Sequence, residues 1–285
     1  MPGTSKAKNP SGLVVEFDEA THIYKSIIHG HEIQYTSGTT FLGQFYPKFD
    51  PTGDITARCA KKEGISVAEL QKRWKDKAAN SCRIGTRTHE VCEDIELGRE
   101  LRNKPEDDAE KARFDNAILM ANKVKSRLDI IGVEKIVFSN KLSTPIAGTI
   151  DLLGKSKENG TTYIILDWKT NKKIEKFNTY EKYCLDPISH IPAINYHEYA
   201  LQLNLYQFLL KYEGYVPRKA QFRRFLCHIT ETNHELIELP DYQDEIKMML
   251  IYSAYWTEHK HWLKDHPPKD NVIYIEDALC PRCGL

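Results

Sequence analysis

Two acids interrupt runs of apolar residues that otherwise read as buried strands. Asp151 stands within IAGTIDLLG, and Asp167 stands near the end of TTYIILDWKT. A lone charge in such a strand is costly to bury unless it is paired or binds a metal. Between them, Lys157-Glu158-Asn159-Gly160 carries an Asn-Gly dipeptide, a strong hairpin-turn signal. A hairpin there makes the two strands neighbours and can bring both carboxylates to one end of a sheet. Side chains alternate along a strand, so Asp167 and Lys169 point to one face while Leu166 and Trp168 point to the other. Two carboxylates converging with an ammonium suit phosphoryl chemistry. Carboxylate oxygens bind a hard cation such as Mg²⁺, and the cation activates a water and offsets charge on the phosphate. A lysine two residues past the acid can orient that water or stabilise the charge that develops. A buried Asp–Lys ion pair at a strand end gives the same local pattern, and Asp167-Trp168-Lys169 alone does not separate the two.

The elements that must position these groups follow from pattern. Strands are expected over residues 13–17 and 32–35, then a short helix capped within Thr36–Thr40 and carrying Phe41, Leu42 and Phe45. Residues 66–79 read as a helix with Ser66 and Glu69 at capping-box spacing. Another is expected from Gly85-Thr86 to Gly98, and within it His89 and Glu93, four apart, share a face. A polar loop over 102–110 leads to a long helix ending near Leu128, then strands over 135–138, 146–153 and 162–168. Residues 172–194 have no clear period and read as a long loop. Asn195 with Glu198 resembles a helix start, with the helix running to Gly214, followed by strands over 222–229 and 235–239 and a last helix over 242–264. From residue 85 onward the order is α-β-β-β-α-β. The boundaries expected are a disordered leader over 1–12, an N-terminal hairpin with helices over 13–80, a core over 81–240, and a C-terminal helix and tail over 241–285.

Composition narrows the class. The chain of 285 residues carries 40 basic and 40 acidic side chains, which argues against coating a nucleic acid through one broad positive surface. Local basic patches remain, at Lys169 to Lys173 and at Arg218, Lys219, Arg223 and Arg224. No apolar run is long enough to span a bilayer and the N-terminus lacks an apolar signal segment, so a cytoplasmic or nuclear-type compartment and no membrane are expected. Seven cysteines, an odd number without a secretion signal, argue against a disulfide framework.

Taken together, four segments resemble the PD-(D/E)XK nuclease superfamily and its RecB-like branch. They are Gly85-Thr86-Arg87-Thr88-His89, Gly148-Thr149-Ile150-Asp151, Asp167-Trp168-Lys169-Thr170 and Gln202-Leu203-Asn204-Leu205-Tyr206. They match the G-x-x-x-H helix, the G-x-x-D strand, the D-x-K strand and the Q-x-x-x-Y helix in the family's order, over roughly residues 81–230. Phe17-Asp18-Glu19, His22 and Tyr24 also resemble the leader of phage-type recombination exonucleases. Ile150 replaces the proline that names the superfamily, and the second acid is Asp rather than Glu.

The resemblance implies an α/β, restriction-endonuclease-like αβββαβ core with a mixed central sheet, an N-terminal hairpin and helical elaboration, and a C-terminal helix. It implies Mg²⁺- or Mn²⁺-dependent hydrolysis of DNA, from ends more than internally, in recombination, repair or replication. Asp151, Asp167 and Lys169 would be catalytic. His89, Asp151, Asp167 and the Trp168 backbone carbonyl would hold the metal, and Gln202 and Tyr206 would brace the site or touch the DNA backbone. Glu93 is added from its shared face with His89, as a candidate for a second metal or a water-bridged contact. Lys172 and Lys173, in a loop that also carries Lys176, Phe177, Tyr180, Lys182 and Tyr183, suit single-stranded DNA by phosphate attraction and stacking. Gln202 and Tyr206 could also be helix-packing residues of the amphipathic stretch over residues 199–212. Cys280 and Cys283 have metal-ligand spacing, but with Cys82 or Cys59 upstream they still lack a third downstream cysteine unless Cys227 serves, so neither an iron–sulfur cluster nor Zn²⁺ is expected. Ring-forming relatives leave room for a homo-oligomer or a recombination or replication partner. The other readings are a flap endonuclease with the same chemistry, a DNA-binding module with an inactive nuclease fold, and an RNA-directed enzyme.

Overall fold

The computed structural model describes residues 3–48, 50 and 52–265. In chain order these form strands β1 (Thr4–Lys8), β2 (Val14–Asp18), β3 (Ile23–Ile28) and β4 (His31–Ser37), followed by helices α1 (Gly38–Leu42), α2 (Asp54–Glu63), α3 (Val67–Leu97) and α4 (Asp108–Arg127). Strands β5 (Leu128–Ser139), β6 (Ile146–Ser156) and β7 (Thr162–Lys169) come next, then α5 (Asn195–Tyr212), β8 (Gln221–Ile229), β9 (His234–Leu239) and α6 (Gln243–Asp265). The expected αβββαβ order is present, and the sheet is mixed: β4 with β6 and β7 with β8 run parallel, and the other pairs antiparallel.

Three expectations are corrected. Residues assigned to a disordered leader include β1, which pairs with β2 across a turn closed by Asn9, whose Oδ1 accepts the Leu13 N–H at 2.9 Å. Asn9-Pro10-Ser11-Gly12 is a turn signal that a reading by polarity passed over. The N-terminal hairpin is accordingly a meander of four strands, β1 to β4. The two helices expected over 66–79 and 85–98 are one, α3, capped by Ser66 at its start and by left-handed Gly98 at its end. A glycine inside a helix costs only about 1 kcal/mol, so Gly85 does not break it.

The sheet separates two apolar layers. On one side α3 and α4 bury Val91, Cys92, Phe114 and Met120 against Leu152, Leu166 and Trp168. On the other, α1, α5 and α6 pack against Ile150, Leu153 and Ile165. Helix α5 is buried nearly all round from Ala200 to Leu210, as expected of a helix enclosed by its neighbours. The turn between α3 and α4 is fixed by charge: Arg87 Nε meets Glu110 Oε1 at 2.7 Å, and Arg102 Nη2 meets the buried Asp94 at 2.6 Å. No helix among the described residues is long and apolar enough to cross a membrane.

Strand β6 has different partners along one edge. Residues 146–147 pair with β4 and residues 152–155 pair with β7. The stretch from Gly148 to Asp151 lies between them with no strand on that side, and the motif acid sits at the fork.

Candidate active site

The ladder between β6 and β7 ends at Leu152↔Leu166, and its register sets Asp151 and Asp167 opposite each other where the strands part. Asp151 takes up a backbone donor released by the parting: its Oδ2 accepts the Trp168 N–H at 2.9 Å. The Trp168 side chain points the other way and is buried in the α3–α4 layer, so only its backbone lies at the fork. Asp167 and Lys169 face the α5 layer, as alternation requires. The Lys169 ammonium pairs with Asp167 Oδ2 and lies over the Tyr199 ring, 4.7 Å from its centroid. Asp167 Oδ2 is buried and has no hydrogen-bond partner besides that ammonium. Burial raises the Asp167 carboxyl above the ordinary range, with Lys169 opposing and Asp151 reinforcing the shift. Burial pulls Lys169 down, but Asp167 and Asp151 more than offset this and leave its pKa raised, so the ammonium stays charged.

From the opposite layer α3 delivers His89, whose Nδ1 stands 3.4 Å from Asp151 Oδ2. A residue not singled out from the sequence joins them. Glu134 on β5 falls opposite Asp151, between the pairs Val133↔Leu152 and Lys135↔Ile150, at a position the ladder skips. Its φ of 47° places it in the left-handed region, uncommon for a residue with a side chain and often found at functional sites. One ligand atom each from His89, Glu134 and Asp151 lie within 4.8 Å of one another. Two carboxylates and an imidazole form a donor set that fits a divalent cation. Glu93 does not join the set, because Arg102 at 3.0 Å and Arg99 at 3.6 Å hold its carboxylate.

The remaining motif residues support the strand. Tyr206 from α5 lays its ring on β6 at Gly148: a Cβ built there would stand 2.4 Å from Tyr206 Cε1 and one at Gly38 3.0 Å from it. Only a residue without a side chain admits the ring at Gly148. Gln202 Nε2 donates to the Tyr206 hydroxyl at 3.3 Å. Gly85 approaches the D-x-K-T strand, its Cβ position 3.5 Å from Thr170 Oγ1. Lys172 and Lys173 are exposed on the loop that leaves β7. The basic pair Arg223 and Arg224 is already taken, Arg223 by Glu238 at 2.7 Å and Arg224 by Asp241 at 3.2 Å. Cys227, the one source of a third downstream ligand, is buried in the α3–α4 layer, and Cys280 and Cys283 lie outside the described residues.

A family model for the PD-(D/E)XK nuclease superfamily matches residues 61–283, most of the chain. The chain belongs to that superfamily. Among solved structures, SSO0001 aligns with a TM-score of 0.33 at 12% identity, over 86% of this chain and 90% of its own. A protein from Eubacterium rectale to which exonuclease activity is ascribed aligns with a TM-score of 0.33 at 13% identity, over 87% of this chain and 93% of its own. Likenesses with scores that low carry no functional weight. A comparison with curated proteins finds no match.

One further group of this nuclease lies beneath the site. Glu96, seven residues after His89 on α3, is 5% exposed, and neither carboxyl oxygen has a hydrogen-bond partner. Burial, reinforced by Asp151 and Glu134, pushes its pKa up to about 9, so it is held neutral at pH 7. An acid raised in the folded state contributes stability that is complete below its unfolded pKa of about 4.3 and is lost as pH rises toward the folded value. In EDTA, Glu96→Gln is therefore expected to stabilise the protein over wild type by up to roughly 4 kcal/mol at pH 7.5, with the difference vanishing near pH 4. Denaturation at the two pH values checks it, and a pH-independent difference would contradict it. Gly148→Ala is expected to cost about 2–3 kcal/mol by overpacking against Tyr206. That cost should shrink in a Tyr206→Ala background, and an equal cost in both would show that the ring is not what requires glycine.

Proposed function

We propose that this nuclease hydrolyses phosphodiester bonds in DNA with Mg²⁺ or Mn²⁺, acting from ends in recombination, repair or replication, as the RecB-like branch it resembles does. The observation that carries the reading is the convergence of His89, Glu134 and Asp151 ligand atoms within 4.8 Å, beside the Asp167–Lys169 pair. A structural ion pair explains Asp167 and Lys169, but not a histidine and two further acids gathered at the same strand fork.

His89, Glu134, Asp151, Asp167 and the Trp168 carbonyl would hold the cation. When bound, the cation offsets the charge on the phosphate and acidifies a water. Lys169 does the rest of the electrostatic work from this chain. Its ammonium offers donors to the attacking water or to a phosphate oxygen, and Asp167 and the Tyr199 ring hold it in place before substrate arrives. Gln202 and Tyr206 keep β6 in register at Gly148, and Lys172 and Lys173 attract the phosphates that run past the site.

The test is digestion of end-labelled linear single- and double-stranded DNA, with circular single strands as the control for internal cleavage, by wild type and Lys169→Ala in Mg²⁺, Mn²⁺ and EDTA. Wild type is expected to degrade linear DNA only with metal, and Lys169→Ala to be slower by about 10²–10³-fold. Wild type that binds DNA and leaves every substrate intact would overturn the catalytic reading. Equal attack on circles would replace exonuclease with endonuclease.

A further inference from the structure

The loop between β7 and α5 displays the two most exposed large apolar side chains among the described residues, Phe177 at 83% and Tyr180 at 78%. Leaving two aromatic rings in water forgoes a stabilisation that a flexible segment would gain by folding them inward. This segment is tied down. Asn195, at the first turn of α5, accepts the Glu175 N–H at 2.8 Å and donates to the Lys173 carbonyl at 3.0 Å. Its amide clamps the outgoing arm of the loop from the start of the helix that the spacing of Asn195 and Glu198 suggested. On the return, the Asn178 side chain closes a turn on Lys182, accepting its N–H at 2.9 Å and donating to its carbonyl at 2.7 Å. The base of the loop is pinned in the core by Ile174, Cys184, Ile188 and Ile191. The rings stand at the tip of a fixed support.

That support begins at the catalytic strand. Asn195 lies one helical turn before Tyr199, whose ring carries Lys169 and whose hydroxyl bonds Asn171 at 2.9 Å. Phe177 follows Lys169 by eight residues, so their Cα atoms lie no more than roughly 29 Å apart even on a fully extended chain. Between Lys172 and Tyr183 the loop has four lysines against two glutamates, an excess of positive charge around the rings.

We infer that Phe177 and Tyr180 form a stacking platform for unpaired bases, which selects single-stranded DNA over duplex and feeds it toward Asp167 and Lys169. Every base has a π-face, so such a platform grips without regard to sequence, while a duplex hides those faces except at its ends. The inference rests on the proposed DNA hydrolysis and names the strand state that the site takes.

The experiment compares wild type, the double variant Phe177→Ala with Tyr180→Ala, and the aromatic replacement Phe177→Trp with Tyr180→Trp. Binding of a fluorescein-labelled single-stranded oligonucleotide and of the blunt duplex of the same sequence is followed by anisotropy in EDTA. A 2-aminopurine base in the single strand reports stacking, and hydrolysis of bis(p-nitrophenyl) phosphate reports intact chemistry. The alanine variant is expected to lose single-strand affinity by about tenfold or more and to lose the 2-aminopurine quench. Duplex binding and hydrolysis of the small ester should stay near wild type, and the tryptophan variant should keep both single-strand signals. Unchanged single-strand binding by the alanine variant would overturn the platform and leave the tip as a protein contact. Equal losses on single strand and duplex would overturn the selectivity. Because binding is read without turnover, failure of the platform is distinct from failure of the nuclease reading, which would appear as wild type degrading no DNA in either metal.

Discussion

Acidic side chains brought together at the fork of β6 and β7 set the terms for the rest of the molecule. Glu134 and Asp151 place oxygens within 4.8 Å of one another, and burial together with Asp151 pushes the Glu134 carboxyl up to about 8, so that without a cation it stays largely protonated at neutral pH. Asp167 adds a third acid across the fork, and Glu96 a fourth below it, also held neutral by burial. Lys169 is engaged by Asp167, and His89 brings at most one charge to Asp151. A divalent cation would relieve this crowding of acids, and the same charge is what a phosphodiester needs beside it.

The scaffold keeps these groups together without filling the space between them. Strand β6 changes partner from β4 to β7 and leaves Gly148 to Asp151 unpaired on one edge. Tyr206 covers the glycine end of that gap, and Asp151 closes the other by taking the Trp168 N–H. Two helical layers then supply the site from opposite sides, His89 from α3 and the support for Lys169 from α5. The glycine of the G-x-x-D segment and the tyrosine of the Q-x-x-x-Y segment are thus one contact, which gives a physical reason for their presence in the same chain.

What could be read from the sequence was local. Alternation put Asp167 and Lys169 on one face, the Asn-Gly turn paired β6 with β7, and four-residue spacing placed Gln202 beneath Tyr206. Glu134 was not legible, because its place opposite Asp151 depends on the register across residues 140–145 and on a left-handed backbone at a residue that gives no sign of it. The one available signal was an acid among Val133, Ile136 and Val137 in a strand-like run. Helical spacing from His89 makes Glu93 visible in sequence, whereas the arginines that hold it, Arg99 and Arg102, reach it only through the fold. The start of α5 at Asn195 was legible, but the partners of its side chain, Lys173 and Glu175, were not, because they lie at the far end of a loop whose path no periodicity describes.

The central claim is that His89, Glu134 and Asp151 hold a divalent cation, and binding of Mn²⁺ followed by calorimetry and electron paramagnetic resonance tests it most directly. Wild type is expected to bind Mn²⁺, with affinity reduced at least about tenfold in Glu134→Gln and in Asp151→Asn while both variants remain folded, and unchanged in Glu93→Gln. Mn²⁺ binding that survives both the Glu134 and Asp151 substitutions, or that is lost with Glu93, would contradict the account.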